Sequence, residues 1–277
     1  MMSQITATVI ADSISAYGMR ITTLQLKYPR FIHSEFMTHR VFSRNAASSR
    51  AIPVLKMIQQ VRTDPAMPIH WGLNQPGMQA AKAHEDVEKV RAAWLDAAIS
   101  ATTYAAYLNH LGLHKQVVNR LLEPFQLMHT IVTATEWDNF FELRCHPDAQ
   151  PEFQALANAI RTAMDQSSPV ERTSNIQRAT ASWHLPYVSD DERAHLHPYT
   201  LPKISAARCA RVSYLKHDGT APSIEDDMAL FERLVGSKPL HASPIEHQAC
   251  AAGSVSRSRN FLGWYQYRDL FESGIMK

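Results

Sequence analysis

A cluster of hydrogen-bond donors lies between residues 38 and 53, in the stretch THRVFSRNAASSRAIP. The candidate ligand contacts among its side-chain donors are Arg40, Ser43, Asn45, Ser48 and Arg50. On a turn rich in small residues, backbone N–H groups can point at an anion together with such side chains. The stretch therefore predicts a phosphate cradle, and the plainer alternative is a solvated loop with two surface arginines.

The overall charge restricts the kind of anion. The chain has 277 residues, of which 45% are hydrophobic, and a net charge of +2 at pH 7. This balance lacks the basic excess that binds nucleic acid, so we expect any bound phosphate to belong to a small molecule. His33, Glu35 and His39 do not have the spacing of a standard zinc motif, and no metal is predicted.

The cysteines and the first residues bear on the cellular compartment. Cys145, Cys209 and Cys250 are three in number and include no CxxC pair, which predicts neither a disulfide framework nor a zinc knuckle. The start, MMSQITATVIADSIS, lacks the pattern of a signal peptide, and no apolar run is long enough to cross a bilayer. We expect a soluble, cytoplasmic protein with no membrane partner.

Strands and a long helix are predicted to position the donor cluster. ITATVI and RITTLQLKYP alternate apolar or β-branched residues with polar ones and are separated by a glycine-containing segment, which predicts a hairpin. Pro53 and the Ser/Asn cluster favour a loop between short helices. The Ala-rich sequence from Gln79 to Leu111 predicts a long helix that ends near Gly112.

Shorter elements follow. HKQVVNRLLEPF, TEWDNFFELRC and AQPEFQALANAIRTAM predict three helices, the last with Pro151 in its first turn. Residues 167–205 are rich in Pro, His and acids and read as a connector or surface excursion. A capping box of Ser223 and Asp226 opens a predicted helix at SIEDDMALFERLV, and HQACAAGSV predicts a strand. Together these predict one α/β (α+β) domain over residues 1–277, with a mixed twisted sheet and several helices.

Three blocks of the chain resemble the flavin-dependent thymidylate synthases. The family signature RHRxxSxNExSxR is matched from Thr38 to Arg50, except that Thr38 replaces the first Arg and Ala46 the Glu. FFELRCHPDAQPEF resembles the family's FLxLR and AQxEI block. CARVSY and HASPIEH resemble blocks that usually open the family's chain but stand here near its C-terminal end. The resemblance therefore implies a circularly permuted member, in which residues 167–205 join the usual termini.

The resemblance also implies site residues. It assigns FAD contacts to His39, Arg40, Ser43, Asn45, Ser213, Ser243 and Glu246, and a nucleotide site to Glu35, Ser48, Arg50, Arg120 and Arg144. Arg144 is the expected catalytic residue, because a guanidinium that is always protonated can stabilise negative charge developing on a pyrimidine ring. The alternative for Arg144 is an arginine at a helix C-terminus that interacts with the helix dipole.

The reaction implied is transfer of a one-carbon unit to C5 of a pyrimidine deoxynucleotide. In this family dUMP becomes dTMP, methylenetetrahydrofolate supplies the carbon, and NADPH supplies reducing equivalents through FAD. Its members usually form homotetramers whose sites are shared between subunits. Two alternatives stay open: a hydroxymethylase that acts on dUMP or dCMP, and a non-catalytic homologue that binds flavin or nucleotide.

Departures from the family motivate these alternatives. Glu35 stands where Gln is common, and Thr133 and Thr135 stand where an Asn and an Arg commonly help to bind flavin. A Glu in place of a Gln accepts hydrogen bonds only, which suits a cytosine amino group. Cys145, between an arginine and a histidine, is a candidate nucleophile, although most lone cysteines are small buried hydrophobes.

Overall fold

The computed structural model describes residues 4–173, 181–212 and 222–276. These residues form two five-stranded sheets with helices packed against them, which confirms the predicted mixed α+β class. Ser213, one of the candidate cofactor contacts, lies outside the described residues.

The first sheet carries the donor cluster at its edge. Its strands are β1 (Thr6–Ser15), β2 (Arg20–Pro29), β3 (Ser43–Ala46), β4 (Leu127–Ala134) and β5 (Val170–Arg172), in the order β3-β4-β2-β1-β5. All neighbours are antiparallel except β1 and β5. The predicted β1–β2 hairpin is confirmed, and its turn uses Gly18 at a φ of +76°, which L side chains rarely adopt.

Ten α-helices are found among the described residues. They are α1 (His33–Phe36), α2 (Val54–Thr63), α3 (Val87–His110), α4 (Lys115–Val118), α5 (Asp138–Arg144), α6 (Pro151–Asp165), α7 (Asp190–His195), α8 (Leu201–Ala210), α9 (Ile224–Leu234) and α10 (Tyr267–Glu272). Short 3₁₀ turns span Arg30–Ile32, Asn119–Phe125 and Ser243–Glu246. No helix within the described ranges is long and apolar enough to cross a membrane.

Helix ends follow local capping chemistry. The long helix α3 begins at Val87 rather than at Gln79, because the Asp86 side chain accepts a hydrogen bond from the Lys89 N–H and sets the start there. The capping box of Ser223 and Asp226 is present at α9, as predicted. Pro151 lies in the first turn of α6, where its missing N–H costs nothing.

The largest core lies between the first sheet and α6. Leu24 and Leu26 of β2 are fully buried in one cluster with Phe153, Leu156 and Ile160 of α6. Burial of each such side chain contributes about 1.5–3 kcal/mol, so this layer holds the central strands and α6 in place.

The second sheet is built from very short strands. They are β6 (Trp183–His184), β7 (Ala249–Ala251), β8 (Arg257–Ser258), β9 (Phe261–Leu262) and β10 (Trp264–Gln266), in the order β6-β7-β10-β8-β9. Trp183 and His184 are buried, so the segment interpreted as a connector or surface excursion supplies a core strand. Ile21 of β2 packs in one cluster with Phe261 and Trp264, and this contact joins the two sheets.

Candidate functional site

One wall of a cavity of about 520 Å³ is formed by part of the donor cluster, namely Asn45, Ser48 and Arg50. The other walls come from the start of α1, the turn before α4, the end of α8 and the segment 241–244. The lining residues are His33, Met37, Arg44, Asn45, Ala46, Ser48, Arg50, Ala51, His114, Gln116, Ala210, Val212, Leu234, His241, Ser243 and Pro244. Thus HASPIEH, near the C-terminal end, meets the signature stretch across this cavity.

The lining of the cavity is basic. Its ionisable members among the described residues are His33, Arg44, Arg50, His114 and His241, and this described lining includes no Asp or Glu. Ala46, at the position where the signature has a Glu, also lines the cavity. A concave site with cationic donors and no carboxylate favours an anionic ligand.

The loop at residues 49–52 is fixed by neighbouring side chains. Asn119 is buried and donates to the carbonyl oxygens of Ser49 at 2.7 Å and Ile52 at 3.0 Å. The Lys115 Nζ donates to the Ala51 carbonyl at 3.1 Å. These three bonds hold the loop in position before any ligand binds, so a ligand would not have to order it.

Arg44 and His33 both line the cavity, and each is hydrogen-bonded to neighbouring residues of the protein. Arg44 Nη1 donates to the carbonyl oxygens of Phe36 and His39, both at 3.1 Å. His33 Nδ1 lies 2.8 Å from the Tyr28 hydroxyl. Burial, with Arg30 and Arg44 nearby, lowers the pKa of His33 to about 4, so its imidazole is neutral at pH 7.

Arg144 belongs to a second cluster, which does not line the cavity. Its Nε donates to Nε2 of His39 at 3.0 Å, its guanidinium carbon lies 4.4 Å from the centre of the Phe153 ring, and Nη1 lies 3.7 Å from a carboxylate oxygen of Glu35. Burial and the charges of Arg144 and Arg44 lower the pKa of His39 to about 4. His39 can therefore accept this hydrogen bond, because its ring is unprotonated at neutral pH.

The structure brings only part of the predicted site together. Asn45, Ser48, Arg50 and Ser243 line the cavity. The remaining described candidates, His39, Arg40, Ser43, Arg120, Glu246, Glu35, Arg144 and Cys145, do not.

Each candidate outside the cavity has other surroundings. His39 is 8% exposed and packs against the rings of Phe42 and Phe140, and Ser43 is buried with its hydroxyl beside Asn260 and Gln266. The exposed Arg120 pairs with Glu123 at 2.7 Å because the two lie one turn apart. Glu246 is engaged by Arg268, and Arg40 is exposed.

Cys145 is partly buried at the C-terminal end of α5. Among the described residues its sulfur has no hydrogen-bond partner. Nδ1 of the neighbouring His146 instead accepts a hydrogen bond from the Asp148 N–H at 3.2 Å. The geometry therefore supplies no thiol–imidazole pair, and a nucleophilic role for Cys145 stays a prediction without structural support.

The two threonines expected in a flavin pocket bond within the protein instead. Thr133 is fully buried, and its hydroxyl lies 2.6 Å from that of Thr23 and 2.8 Å from Nδ1 of His247. Thr135 accepts a hydrogen bond from the Leu262 N–H at 3.0 Å. Both hydroxyls therefore tie the two sheets together.

Four ionisable residues of the cavity were not predicted as site residues: Arg44, His33, His114 and His241. Arg44 occupies an unspecified position of the signature, and His241 opens HASPIEH, so a weak signal existed for both. His33 and His114 come from separate elements that only the tertiary fold brings together.

Comparison with known proteins identifies the family. The family model described as thymidylate synthase complementing protein matches residues 15–170, more than half of the 277 residues. The chain belongs to this family. No curated protein matches.

Solved structures with a similar fold include a UMP/dUMP methylase, PolB from Streptomyces cacaoi. The form bound with 5-Br UMP is 16% identical to this chain and has a TM-score of 0.50. The match covers 59% of this chain and 90% of the PolB chain. The form bound with 5-Br dUMP is 18% identical, with a TM-score of 0.49 and coverage of 59% and 91%. At such identity the likeness establishes the fold. CARVSY and HASPIEH lie beyond residue 170, so the permuted order remains a prediction.

Proposed function

We propose that this protein binds a pyrimidine nucleotide in the basic cavity and transfers a one-carbon unit to C5 of the base. The observation that carries the proposal is the cavity itself: Asn45, Ser48 and Arg50 of the family signature line it, together with Arg44 and three histidines, and no carboxylate does among the described residues. Family membership supports the reaction class, and PolB, of similar fold, is described as a UMP/dUMP methylase. In this proposal Ser48 and Arg50 bind the phosphate, as the resemblance implies.

Arg144 is the proposed catalytic residue, although it does not line the cavity of its own chain. Reaction at C5 of uracil places negative charge on the ring carbonyls, and a guanidinium held by His39 and Phe153 is oriented to stabilise that charge. For Arg144 to reach the base, the site must be completed by a second copy of the chain. We therefore propose a homo-oligomer, a tetramer as in the family.

The exposed face of α3 supports association between copies. From Ala92 to Leu111 the sequence contains a single Asp and no Glu, Lys or Arg. Several large apolar side chains are exposed there, namely Leu95, Ile99, Tyr104, Tyr107 and Leu111. A helix face of this composition is typical of a subunit interface.

The residues expected to hold FAD do not converge within one chain. Asn45 and Ser243 line the cavity, whereas His39 and Ser43 are buried elsewhere and Glu246 is paired with Arg268. Among the described residues of a single chain, this set does not form a flavin site, and no step is derived through a flavin. Use of FAD, NADPH and methylenetetrahydrofolate, and methylation of dUMP in particular, is our proposal from the family resemblance.

Mass spectrometry of the nucleotide product tests this function. The protein is incubated with FAD, NADPH, methylenetetrahydrofolate and a mixture of dUMP and dCMP. A methylated dUMP supports a thymidylate synthase, and a hydroxymethylated dUMP or dCMP supports an enzyme that makes a modified DNA precursor. Unchanged nucleotides, with dUMP bound but NADPH never oxidised, support a non-catalytic homologue instead.

Variants connect the product to the proposed site. Arg144→Ala is expected to abolish turnover and to leave flavin binding nearly intact. Arg50→Ala is expected to weaken dUMP binding about tenfold, because it removes a charged phosphate contact. Lys56→Ala is the matched control, since Lys56 is an exposed cation six residues further on that does not line the cavity. Equal effects of Arg50→Ala and Lys56→Ala would contradict the assignment of the phosphate site.

A further inference from the structure

Arg44 is a partly buried cation in the cavity wall without a direct counter-ion. Among the described residues it forms no salt bridge, and burial lowers the pKa of its guanidinium. The charge of Glu246 acts on it from a distance, but that carboxylate is bonded to Arg268. Arg30, which is also partly buried, differs in this respect, because it pairs with Glu123 at 2.8 Å.

A charge removed from water is costly unless an opposite charge or hydrogen bonds compensate it. Two carbonyl oxygens satisfy Nη1 of Arg44, and within the described part of the chain no acceptor bonds to its Nε or Nη2. The guanidinium is thus fixed in orientation and keeps donors for a further partner. Because the described residues that line the cavity include no carboxylate, the partner that fits these donors is an anionic ligand.

His33 adds a neutral group to the same wall. Tyr28 is buried, and its hydroxyl lies 2.9 Å from Oγ1 of Thr130 and 2.8 Å from Nδ1 of His33. If Thr130 donates to Tyr28 and Tyr28 donates to Nδ1, then Nε2 of His33 carries the proton and is a donor. This arrangement suits a second oxygen of the anion that Arg44 binds.

We propose that Arg44 and His33 form an anion subsite that binds a phosphate oxygen of the nucleotide, beside the contacts that Ser48 and Arg50 provide. Neither residue is a specified position of the family signature. The identity of the ligand rests on the proposed function, whereas the need for an anion rests on the unpaired guanidinium. A guanidinium held by two carbonyl groups loses little freedom on binding, so Arg44 is expected to contribute more affinity than the exposed Arg50.

Calorimetric titration of the full-length protein with dUMP and with deoxyuridine tests the subsite. Arg44→Gln should weaken dUMP binding about tenfold or more and leave deoxyuridine binding unchanged, because only dUMP carries the phosphate. Arg44→Lys keeps the positive charge but lacks the paired N–H donors of a guanidinium. Its affinity for dUMP should lie between those of the wild type and Arg44→Gln. Lys56→Ala should bind as wild type. Unchanged dUMP affinity in Arg44→Gln, or equal losses for dUMP and deoxyuridine, would overturn the proposal.

Two further measurements keep the test decisive. If Arg44→Gln does not fold, His33→Gln takes its place, with a loss of dUMP affinity of about threefold or more expected. If the wild-type protein does not bind dUMP, the proposed function fails. The subsite is then tested with inorganic phosphate, whose binding to the protein is followed by the broadening of its ³¹P line. Broadening that disappears in the folded variant would still support the subsite, and broadening that persists, or is absent from wild type, would overturn it.

Discussion

The protein should lose stability steeply as the pH falls from 7.5 to 5, because two histidines are buried in the neutral state between the sheets. His184 and His247 are both fully buried. His184 Nε2 lies 2.8 Å from Oγ1 of Thr23 and its Nδ1 lies 3.0 Å from Oγ of Ser13, while His247 Nδ1 contacts Thr133. Nε2 of His247 is buried without a partner, so there is no acceptor for an added proton there.

The size of the effect follows from proton linkage. Burial lowers the pKa of His247 to about 3, and burial with nearby cations lowers the pKa of His184 well below its usual value. In the unfolded chain both titrate near pH 6.5, so below that pH the unfolded state binds more protons and folding becomes less favourable. Each histidine costs about 1.4 kcal/mol per pH unit below 6.5, or about 2 kcal/mol at pH 5. The pair together costs about 4 kcal/mol, much of the 5–15 kcal/mol that stabilises a typical domain.

Urea unfolding followed by circular dichroism, at fixed protein concentration and at several pH values, measures this loss. His247→Gln removes one of the two groups and should reduce the slope of unfolding free energy against pH by about 1.4 kcal/mol per unit between pH 5 and 6. His195→Gln is the matched control, because His195 is exposed and should leave the slope unchanged. A wild-type free energy that does not change between pH 5 and 6.5, or the full slope in His247→Gln, would refute the assignment of these two imidazoles as neutral and buried.

Three substitutions test other contacts. Thr133→Val removes the hydroxyl that bonds His247 and should lower the unfolding free energy in urea by about 1–3 kcal/mol, since it leaves a buried imidazole unpaired. Asp227→Asn should cost about 3–5 kcal/mol in the same assay, because Asp227 is fully buried and accepts hydrogen bonds from two arginines. His39→Phe should keep the aromatic packing and thermal midpoint but lower turnover about tenfold in the mass-spectrometric assay, because Arg144 loses the acceptor for its Nε.

Each of these has its own control and contrary outcome. Thr103→Val removes an exposed hydroxyl from α3 and should change the unfolding free energy by less than about 0.5 kcal/mol. If Thr103→Val and Thr133→Val lost the same unfolding free energy, the buried contact of Thr133 would not be the cause of its loss. Asp191→Asn neutralises an exposed acid in the same way, and its effect should be small beside that of Asp227→Asn. Recovery of turnover in His39→Gln, which restores an acceptor, would support the positioning role, whereas full activity in His39→Phe would contradict it.

The sequence predicts the elements well where a local signal specifies them. The hairpin of β1 and β2 has alternating residues and a glycine turn, and the start of α9 has a capping box whose two bonds depend on neighbouring residues only. The start of α3 was placed too early because alanine-rich sequence favours a helix from Gln79, and the Asp86 cap decides the boundary. The second sheet could not be predicted in this way, since strands of two or three residues are too short for a periodic pattern.

The site was predictable to the extent that its residues are close in sequence. Asn45, near the end of β3, and Ser48 and Arg50, in the loop that follows, lie within six residues of one another, and all three line the cavity. The role inferred for Arg44 depends on its bonds to the carbonyls of Phe36 and His39 and on its having no salt bridge within the described residues, and only the tertiary packing reveals these. Likewise, the sequence around His39 does not predict that its imidazole is buried and accepts a hydrogen bond from Arg144.

The composition of the cavity wall has a consequence for synthesis of the chain. Pro244 lies 200 positions after Arg44, yet both face the same space. While the protein emerges from the ribosome, β3 has no partner from residues 241–244 until most of the chain has been translated. Closing such a large loop is a late and slow event in folding, so the cavity forms after the early intermediates and a ligand of the cavity cannot stabilise them.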